Sequence, residues 1–490
     1  MSKGLTYAAA CADPNLFGPW FEGESWRAWR VLDRTIFGLP LVEQEEKIFH
    51  EICGNRRPPE APAQEVWLAL GRRAAKSLKA ASMATYQATI GSELYGYRDH
   101  LKPGERGVVQ VLGVDREQAR VVFRYVNGFF DNIPMLKSLV KKVTSDTIEL
   151  TNGLAIEITT ADKRRVRGRT VICAILDEAS HWRSEETSNP DDEIYAALKP
   201  ATATIPNAMI IGISSPYARR GLFFRKVNDN WAKDGNVLSV RAPTWVMNPT
   251  LPKDGDFIAG EFKKDPAWAR AEYGAEWRDD IETFVNLDAV QACIEVGVRE
   301  RKTARRNRYV AFVDMAGGSG GDSATLALAH REGDTAILDC VREIKPPFSP
   351  ESVIEEYADL VKSYRCTKVY GDRFGGEFPR EIFRRHGMNF DVADKSKSQI
   401  YQAALPLINS GAVDLLDNDL LINQLVSLER RKTRGGRDSI DHPPGGKDDL
   451  ANAVCGALVT SMTKQYRKES WMIREPIVQG IGTGHFDPLR

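Results

Sequence analysis

The chain has 490 residues, with 42% hydrophobic residues and 67 basic against 67 acidic side chains, a composition typical of a globular protein with two or three domains. No apolar stretch approaches the ~20 residues of a membrane span, and the N-terminal residues lack the apolar core of a signal peptide. We therefore expect no membrane association. Zero net charge is unlike a static DNA-binding protein, which is usually basic. Seven cysteines without a C-x-x-C pair predict reduced thiols in a cytoplasmic protein.

The first sixty residues are rich in aromatic side chains. A helix that begins at Glu24 or Ser25 would carry Trp26, Trp29 and Leu32 on one face. The favoured interpretation is a helix packed on the core. The alternative is that this segment helps to bind the adenine base of a nucleotide.

A candidate phosphate loop follows the first predicted buried strand, at residues 65–70. The loop and the start of the next helix consist of Gly71, Arg72, Arg73, Ala74, Ala75, Lys76 and Ser77. Backbone amides at a helix start bind phosphate, a lysine reaches the β- and γ-phosphates, and a serine hydroxyl binds Mg²⁺. Lys76 and Ser77 fit these roles. The usual motif has glycine where this chain has Leu70 and Ala75, so an ordinary basic helix start is the alternative.

A second predicted buried strand ends in two carboxylates, Asp177 and Glu178, after the apolar run 171–176. Burial of carboxylates is costly without a metal or a hydrogen-bond partner. In P-loop NTPases an aspartate at this place holds Mg²⁺, and in the acid-Glu branch the next residue polarises the attacking water. The alternative is a strand that simply meets solvent here. A third strand, at 208–213, ends in Ser214 and Ser215, which would sense the γ-phosphate.

The pattern of strands ending in acids restarts beyond residue 300. The predicted order is three strands in a meander, then a helix, a strand and a late helix. Asp314 follows the first strand, Asp372 follows the fourth, and Asp448-Asp449 begin the late helix. This is the RNase H-like order, in which carboxylates converge on two divalent metals about 3.5–4 Å apart. Oxygen ligands favour Mg²⁺ or Mn²⁺.

Of the two acids that begin the late helix, Asp449 is the favoured metal ligand. It shares a helix face with Ala453 and Gly456, small residues that allow close packing on a sheet. Asp448 would then be a helix-start carboxylate favoured by the helix dipole. Asp322 is a possible accessory acid.

These patterns predict an α/β fold in which a P-loop (acid-Glu) ATPase domain precedes an RNase H-like nuclease domain. The expected segments are an N-terminal part of the ATPase at 1–60, its core at 61–225, a lid or linking subdomain at 226–298, the nuclease at 299–465 and a flexible tail at 466–490. Three basic stretches, 163–169, 299–308 and 430–437, suit weak, reversible phosphate contacts, although such runs are more often solvated faces. The stretch 430–437 is the favoured DNA contact.

This combination resembles the large terminase subunit of tailed bacteriophages, which pumps DNA into a procapsid and cuts it. The residues that carry the resemblance are Gly71–Ser77, Val166-Arg167-Gly168, Leu176–Ala179, Ile213–Pro216, Asp314, Asp372 and Lys447–Ala451. The family implies Glu178 as general base, Ser214 and Ser215 as the link from hydrolysis to movement, and Arg167 or Arg72 as an arginine finger.

The same resemblance implies ATP with Mg²⁺, a two-metal nuclease, and double-stranded DNA as substrate. It also implies a small terminase subunit, the portal protein of the procapsid and a homo-oligomeric ring of five copies on the portal. The implied location is the cytoplasm of an infected bacterium rather than the mature virion. Two alternatives stay open: a helicase-like ATPase without nuclease activity, and a degenerate ATPase that serves as an assembly scaffold. A transposase or resolvase would leave Lys76 and Glu178 unexplained.

Overall fold

The computed structural model describes residues 4–161, 163–182, 190–372, 377–432 and 438–463. The chain divides into two compact units, the first from Met1 to Glu282 with 431–437, and the second from Thr283 to Arg430 and from Asp438 onwards. None of the helices in the described ranges has the length and apolar character of a membrane span. All seven cysteines are buried and free, as the sequence predicts.

The first unit is built on eight strands. They are β1 (Glu65–Leu70), β2 (Gly107–Gly113), β3 (Val140–Val143), β4 (Thr147–Leu150), β5 (Ala155–Thr160), β6 (Thr170–Asp177), β7 (Met209–Ser214) and β8 (Val237–Ala242). The described helices are α1 (Tyr7–Ala12), α2 (Arg27–Ile36), α3 (Glu43–Cys53), α4 (Lys76–Ala88), α5 (Ile90–Tyr95), α6 (Arg116–Asn132), α7 (Pro134–Lys137), α8 (Lys163–Val166), α9 (Pro190–Thr202), α10 (Gly221–Asn230), α11 (Thr244–Met247), α12 (Asp256–Lys264) and α13 (Pro266–Glu272).

The strands of this unit form one sheet in the order β3-β4-β5-β2-β6-β7-β1-β8. The six neighbouring strands β5, β2, β6, β7, β1 and β8 run parallel to one another. Strands β3 and β4 are added at one edge by antiparallel pairing. Strand β7 separates β1 from β6, and all three are fully or almost fully buried. Because parallel strands end at the same edge, the segments that follow β1, β6 and β7 lie side by side.

The N-terminal helices cover the sheet, in agreement with the favoured interpretation of the aromatic segment. Trp29 and Leu32 on α2 are buried in the main apolar cluster of the unit. A hairpin turn at Asn152-Gly153 joins β4 to β5, and Gly153 has a φ of 86°.

The segment 226–298, predicted to be a lid or linking subdomain, contains β8, which pairs with β1 along its whole length. The sequence Val-Leu-Ser-Val-Arg-Ala is short and carries two polar residues, so its strand character is decided by pairing with β1 and by burial. The division between the units falls at Glu282/Thr283, earlier than the basic stretch 299–308.

The second unit has α14 (Leu287–Gln291), α15 (Pro350–Ser363), α16 (Glu377–Arg385), α17 (Lys397–Asn409), α18 (Asp419–Ser427) and α19 (Asp449–Thr463). Its strands are β10 (Ile294–Glu295), β11 (Tyr309–Asp314), β12 (Ala324–Glu332), β13 (Thr335–Ile344), β14 (Lys368–Gly371), β15 (Asn389–Val392), β16 (Val413–Leu416) and β18 (Asp438–Asp441). Two short strands, β9 (Ile281–Thr283) and β17 (Glu429–Lys432), straddle the points of division.

The sheet of the second unit has the order β10-β16-β13-β12-β11-β14-β15. Strands β11, β12 and β13 form an antiparallel meander, and β14 lies parallel to β11 on its other side. This is the predicted RNase H-like order, and it confirms the fold class of an ATPase fold followed by a nuclease fold.

Helix α19 packs on β11, β12 and β13. A Cβ atom at Gly456 would lie 2.6 Å from ring atoms of Phe312, so only glycine allows this approach. The predicted close packing through small residues is therefore present. The turn of the basic stretch 430–437, at 433–437, and the expected tail 466–490 lie outside the described residues.

Candidate active sites

The phosphate loop of the first unit joins β1 to α4. Three side chains from elsewhere in the unit bind successive loop carbonyls: Thr244 Oγ1 donates to Arg72 O at 2.7 Å, Asn248 Nδ2 to Arg73 O at 3.1 Å and Trp29 Nε1 to Ala74 O at 2.8 Å. Within the described part of the chain, the amides of Arg73 and Ala75 donate to no protein acceptor. Amide donors beside the start of a helix form an anion site, so the loop suits phosphate.

Gly71 begins the loop at a point where no side chain fits. A Cβ atom there would lie 2.3 Å from Thr244 Oγ1 and 2.7 Å from the Tyr273 carbonyl oxygen. The glycine turn of the sequence thus has a steric cause. It brings the loop against the segment that follows β8.

Ala75 occupies a left-handed conformation, with φ 61° and ψ 27°. This is the position where the usual motif has glycine, and the conformation costs an alanine roughly 1–2 kcal/mol. The loop therefore keeps the backbone shape that a glycine would allow, at the expense of local strain.

Ala75→Gly should accordingly raise the free energy of unfolding by up to about 1 kcal/mol. The relief of backbone strain in the folded protein outweighs the greater conformational freedom of glycine in the unfolded chain. Ala196→Gly, at an exposed position inside α9, should instead cost about 1 kcal/mol. Thermal unfolding of both variants checks the prediction. Equal destabilisation by the two substitutions would contradict it.

Lys76 begins α4 and is only 7% exposed. Its Nζ donates to the carbonyl oxygen of Leu70 at 3.2 Å and lies 3.5 Å from Glu178 Oε1. The predicted phosphate lysine and the predicted general base are thus neighbours, although they lie 102 positions apart in the sequence.

Glu178 is held through its second oxygen. Ser214 Oγ donates to Glu178 Oε2 at 3.0 Å, and the Ser215 amide donates to the same oxygen at 3.3 Å. Burial by itself would raise the pKa of Glu178, but the charges of Lys76 and His181 and these two donors hold it below its usual value. Glu178 is therefore ionised at neutral pH and can accept a proton.

Asp177 ends β6 and is 3% exposed. Burial, and then the charge of Glu178, raise the pKa of Asp177 to about 7. Its Oδ1 atom has no hydrogen-bond partner among the described residues. A buried carboxylate oxygen without a partner suits a divalent cation, and partly buried Ser77 lies in the first turn of α4.

The two candidate arginine fingers lie in different places. The guanidinium of Arg72 lies 3.6 Å from Glu272 Oε2, beside the phosphate loop. Arg167 is exposed and precedes β6, the strand that ends at Asp177.

A cavity of about 300 Å³ adjoins the N-terminal helices. Its lining includes Phe21, Trp26, Trp29, Asp33 and Lys79. The Lys79 ammonium lies 2.7 Å from Asp33 Oδ1, and both side chains are buried. An adenine-binding role for this segment stays a prediction, while its packing on the core is established by the burial of Trp29.

The second unit brings its predicted acids to one cavity of about 650 Å³. Asp314, Asp322, Asp372, Asp448 and Asp449 all line it. Burial, followed by the charges of Asp372 and Asp449, raises the pKa of Asp314 to about 7. Such a cluster of carboxylates is disfavoured when ionised unless a cation is bound.

Asn452, on the first turn of α19, connects two of these acids. Its Nδ2 donates to Asp314 Oδ2 at 2.7 Å and to Asp372 Oδ2 at 3.4 Å. Its Oδ1 is buried and has no partner in the ranges described. Asn452 was not predicted, although its place three residues after Asp449 on a helix could have indicated it.

The two adjacent acids at the start of α19, Asp448 just before the helix and Asp449 at its first position, have different surroundings. Asp449 Oδ2 accepts the Ser323 amide at 2.9 Å, and burial raises the pKa of Asp449. Asp448, 1% exposed, accepts from Lys397 Nζ and from Tyr401 OH, both at 2.8 Å. Lys397 precedes Asp448 by 51 residues and Tyr401 precedes it by 47. No local sequence pattern indicated either partner.

The raised pKa of Asp314 predicts a pH-dependent stability. The unfolded carboxyl titrates near 3.9, so between about pH 4 and 7 the folded state retains a proton that the unfolded state has released. Stability without metal should therefore fall as the pH rises through this window. Thermal unfolding in EDTA from pH 5 to 8 should show a smaller decline for Asp314→Asn than for wild type.

The exposed carboxylate of Asp391, paired with Lys368, offers a control for this measurement. Asp391→Asn should follow the wild-type decline. If the stability of Asp314→Asn falls with pH as steeply as that of wild type and of Asp391→Asn, the carboxyl of Asp314 is not the group that titrates. Added Mg²⁺ should reduce the wild-type decline, because it binds ionised carboxylates.

No family model matches the sequence, and no curated protein does. Among solved structures, the chain is similar to the large terminase of bacteriophage HK97, with 16% identity over 90% of this chain and 100% of that one, and a TM-score of 0.38. The structural neighbours are large terminases.

Two further neighbours are single domains of large terminases. The ATPase domain of the large terminase from Thermus phage P74-26 covers 44% of this chain and 89% of its own, with 18% identity and a TM-score of 0.34. The large terminase nuclease from thermophilic phage G20c, solved with bound magnesium, covers 35% of this chain and 95% of its own, with 15% identity and a TM-score of 0.31.

Proposed function

We propose that this chain is the ATP-driven motor subunit of a viral DNA-packaging machine, which moves double-stranded DNA into a procapsid and cuts it with a two-metal nuclease. The observation that supports this proposal is the presence of two different sites in one chain. One pairs Lys76 with Glu178 beside a phosphate loop, and the other gathers Asp314, Asp372 and Asp449 in a cavity.

In the first site, the loop amides and Lys76 would bind the phosphates of ATP, and Ser77 and Asp177 would hold Mg²⁺. The ion, when bound, neutralises phosphate charge. Glu178 would accept the proton of the attacking water, since its carboxylate is kept ionised. Ser214 and Ser215 bind the same carboxylate from the end of β7, and they would transmit the state of the site to that strand.

In the second site, Asp314, Asp372 and Asp449 would hold two Mg²⁺ or Mn²⁺ ions. Such ions activate a nucleophile and stabilise the leaving oxygen in phosphodiester cleavage. Asn452 would orient Asp314 and Asp372, and the Ser323 amide would orient Asp449. Asp449 is preferred over Asp448 as the ligand because Asp448 is already engaged by Lys397 and Tyr401.

The proposed partners are double-stranded DNA, a small terminase subunit and the portal protein of the procapsid. In a ring of five copies on the portal, Arg167 or Arg72 would act as the arginine finger. The exposed position of Arg167 suits action on a neighbouring copy. The proposed location is the cytoplasm of the infected bacterium, not the mature virion.

Two assays on the wild-type chain test the proposal: cleavage of plasmid with Mn²⁺ or Mg²⁺, and ATP hydrolysis with and without DNA. Cleavage together with DNA-stimulated hydrolysis is the expected result. Hydrolysis without cleavage would favour the helicase-like alternative. Absence of hydrolysis, even with procapsids and DNA present, would favour the scaffold.

A further inference from the structure

Helix α6 carries a row of arginines on its surface. Arg116, Arg120 and Arg124 recur every four residues, and all three are exposed. The buried residues of the same helix are Ala119, Val122, Val126, Phe129 and Phe130. Because four residues is about one turn, successive arginines lie roughly 6 Å apart along the helix axis. Arg116, Arg120 and Arg124, here called the α6 row, therefore form a line of positive charge next to the core-facing side of the helix.

A cavity of about 190 Å³ adjoins the start of this row. Its basic lining residues are Arg116 and Arg120 from α6 and Arg165 from α8. Its hydroxyl-bearing lining residues are Ser145, Thr159 and Thr160, and Asp146 is the acidic one. Three basic residues from two elements and three hydroxyl-bearing residues that line one cavity have the chemistry of a phosphate site.

Neighbouring arginines of the unit are already paired. Arg106 lies 2.9 Å from Glu149, and Arg169 lies 3.3 Å from Glu157. By contrast, within the described ranges the guanidinium groups of the α6 row and of Arg165 make no ion pair or hydrogen bond to a carboxylate. Their charges remain available to an external anion.

We propose that the α6 row, with Arg165, binds the phosphate backbone of double-stranded DNA. A polyanion fits better than a single phosphate, because Arg124 lies one turn beyond the cavity. Each DNA strand offers a phosphate about every 3.4 Å along the duplex axis, so three arginines spread over about 12 Å extend along about three to four phosphate intervals of one strand. This inference rests on the proposed function for the choice of duplex DNA.

The test measures binding of a short blunt duplex to the full chain in EDTA without ATP, as a function of salt concentration. Arg116→Ala/Arg120→Ala should lower the slope of log K against log salt by about 1.8, since each phosphate contact contributes about 0.9. At low salt the loss of affinity should be about 10- to 100-fold. Arg124→Ala alone should lower the slope by about 0.9.

The matched control is Arg57→Ala/Arg98→Ala, which removes the same charge from exposed sites of the same unit. It should leave both slope and affinity near wild type. Unchanged binding by Arg116→Ala/Arg120→Ala, or an equal loss in the control, would overturn the inference. Failure of the wild-type chain to bind duplex DNA would also overturn the inference. Weaker ATP binding by Arg116→Ala/Arg120→Ala would then assign the cavity to a nucleotide.

Neither ATP hydrolysis nor cutting takes place under these conditions. A chain without either activity could still lose DNA affinity on substitution of the α6 row, so failure of the proposed function is distinguishable from failure of this inference. Equal thermal unfolding of the variants and wild type establishes that the substitutions act on binding.

Discussion

Glu178→Gln will slow ATP hydrolysis by about 10²–10⁴-fold, the usual contribution of a general base. Glutamine retains the acceptor oxygen for Ser214 and Ser215 but cannot take a proton from water. Lys76 and the loop amides remain, so ATP should still bind. The measurement is steady-state phosphate release, combined with nucleotide binding and with plasmid cleavage in Mn²⁺, which should be largely intact.

Glu149→Gln is a suitable control, since Glu149 lies on β4 and pairs with Arg106 away from the phosphate loop. It should leave hydrolysis near wild type. Lys76→Ala should abolish hydrolysis and, unlike Glu178→Gln, should also weaken ATP binding. If Glu178→Gln hydrolyses ATP normally, another residue is the base, and the ionised state of Glu178 serves only to pair with Lys76.

Asp372→Asn will have the opposite effect: loss of plasmid cleavage with ATP hydrolysis largely intact. Changes to residues that merely support metal ligands cost about 10–100-fold, so loss of a ligand should cost at least 100-fold. The physical reason is that asparagine lacks the charge that offsets a divalent cation. Cleavage rates across Mn²⁺ concentrations, with ATP turnover measured in parallel, check this result.

Asp391→Asn, on neighbouring β15, tests whether removal of any nearby carboxylate has the same effect. Asp391 pairs with Lys368, and its substitution should leave cleavage unchanged. Normal cutting by Asp372→Asn would show that the metal site is wrongly assigned. Both this prediction and that for Glu178 treat the two units as independent in their chemistry.

Much of the fold follows from local patterns in the sequence. Buried strands that end in Asp177, Ser214 or Asp314 were recognisable because a strand's apolar run and its terminal polar residue are adjacent in the chain. Small residues at the positions of Ala453 and Gly456 indicated close packing of the last helix, and Gly456 does lie against Phe312. Strand β8 was not predicted, because its strand conformation depends on pairing with β1.

The sequence by itself therefore determined the order of the elements and the types of residue at their ends. Only the tertiary structure decided how those ends are held. It places Thr244 and Trp29 on the phosphate-loop carbonyls, Asn452 between two carboxylates and Lys397 on Asp448. The physical reason is range: hydrophobic periodicity and turn chemistry act between near neighbours, whereas these hydrogen bonds and ion pairs join residues that only packing brings together.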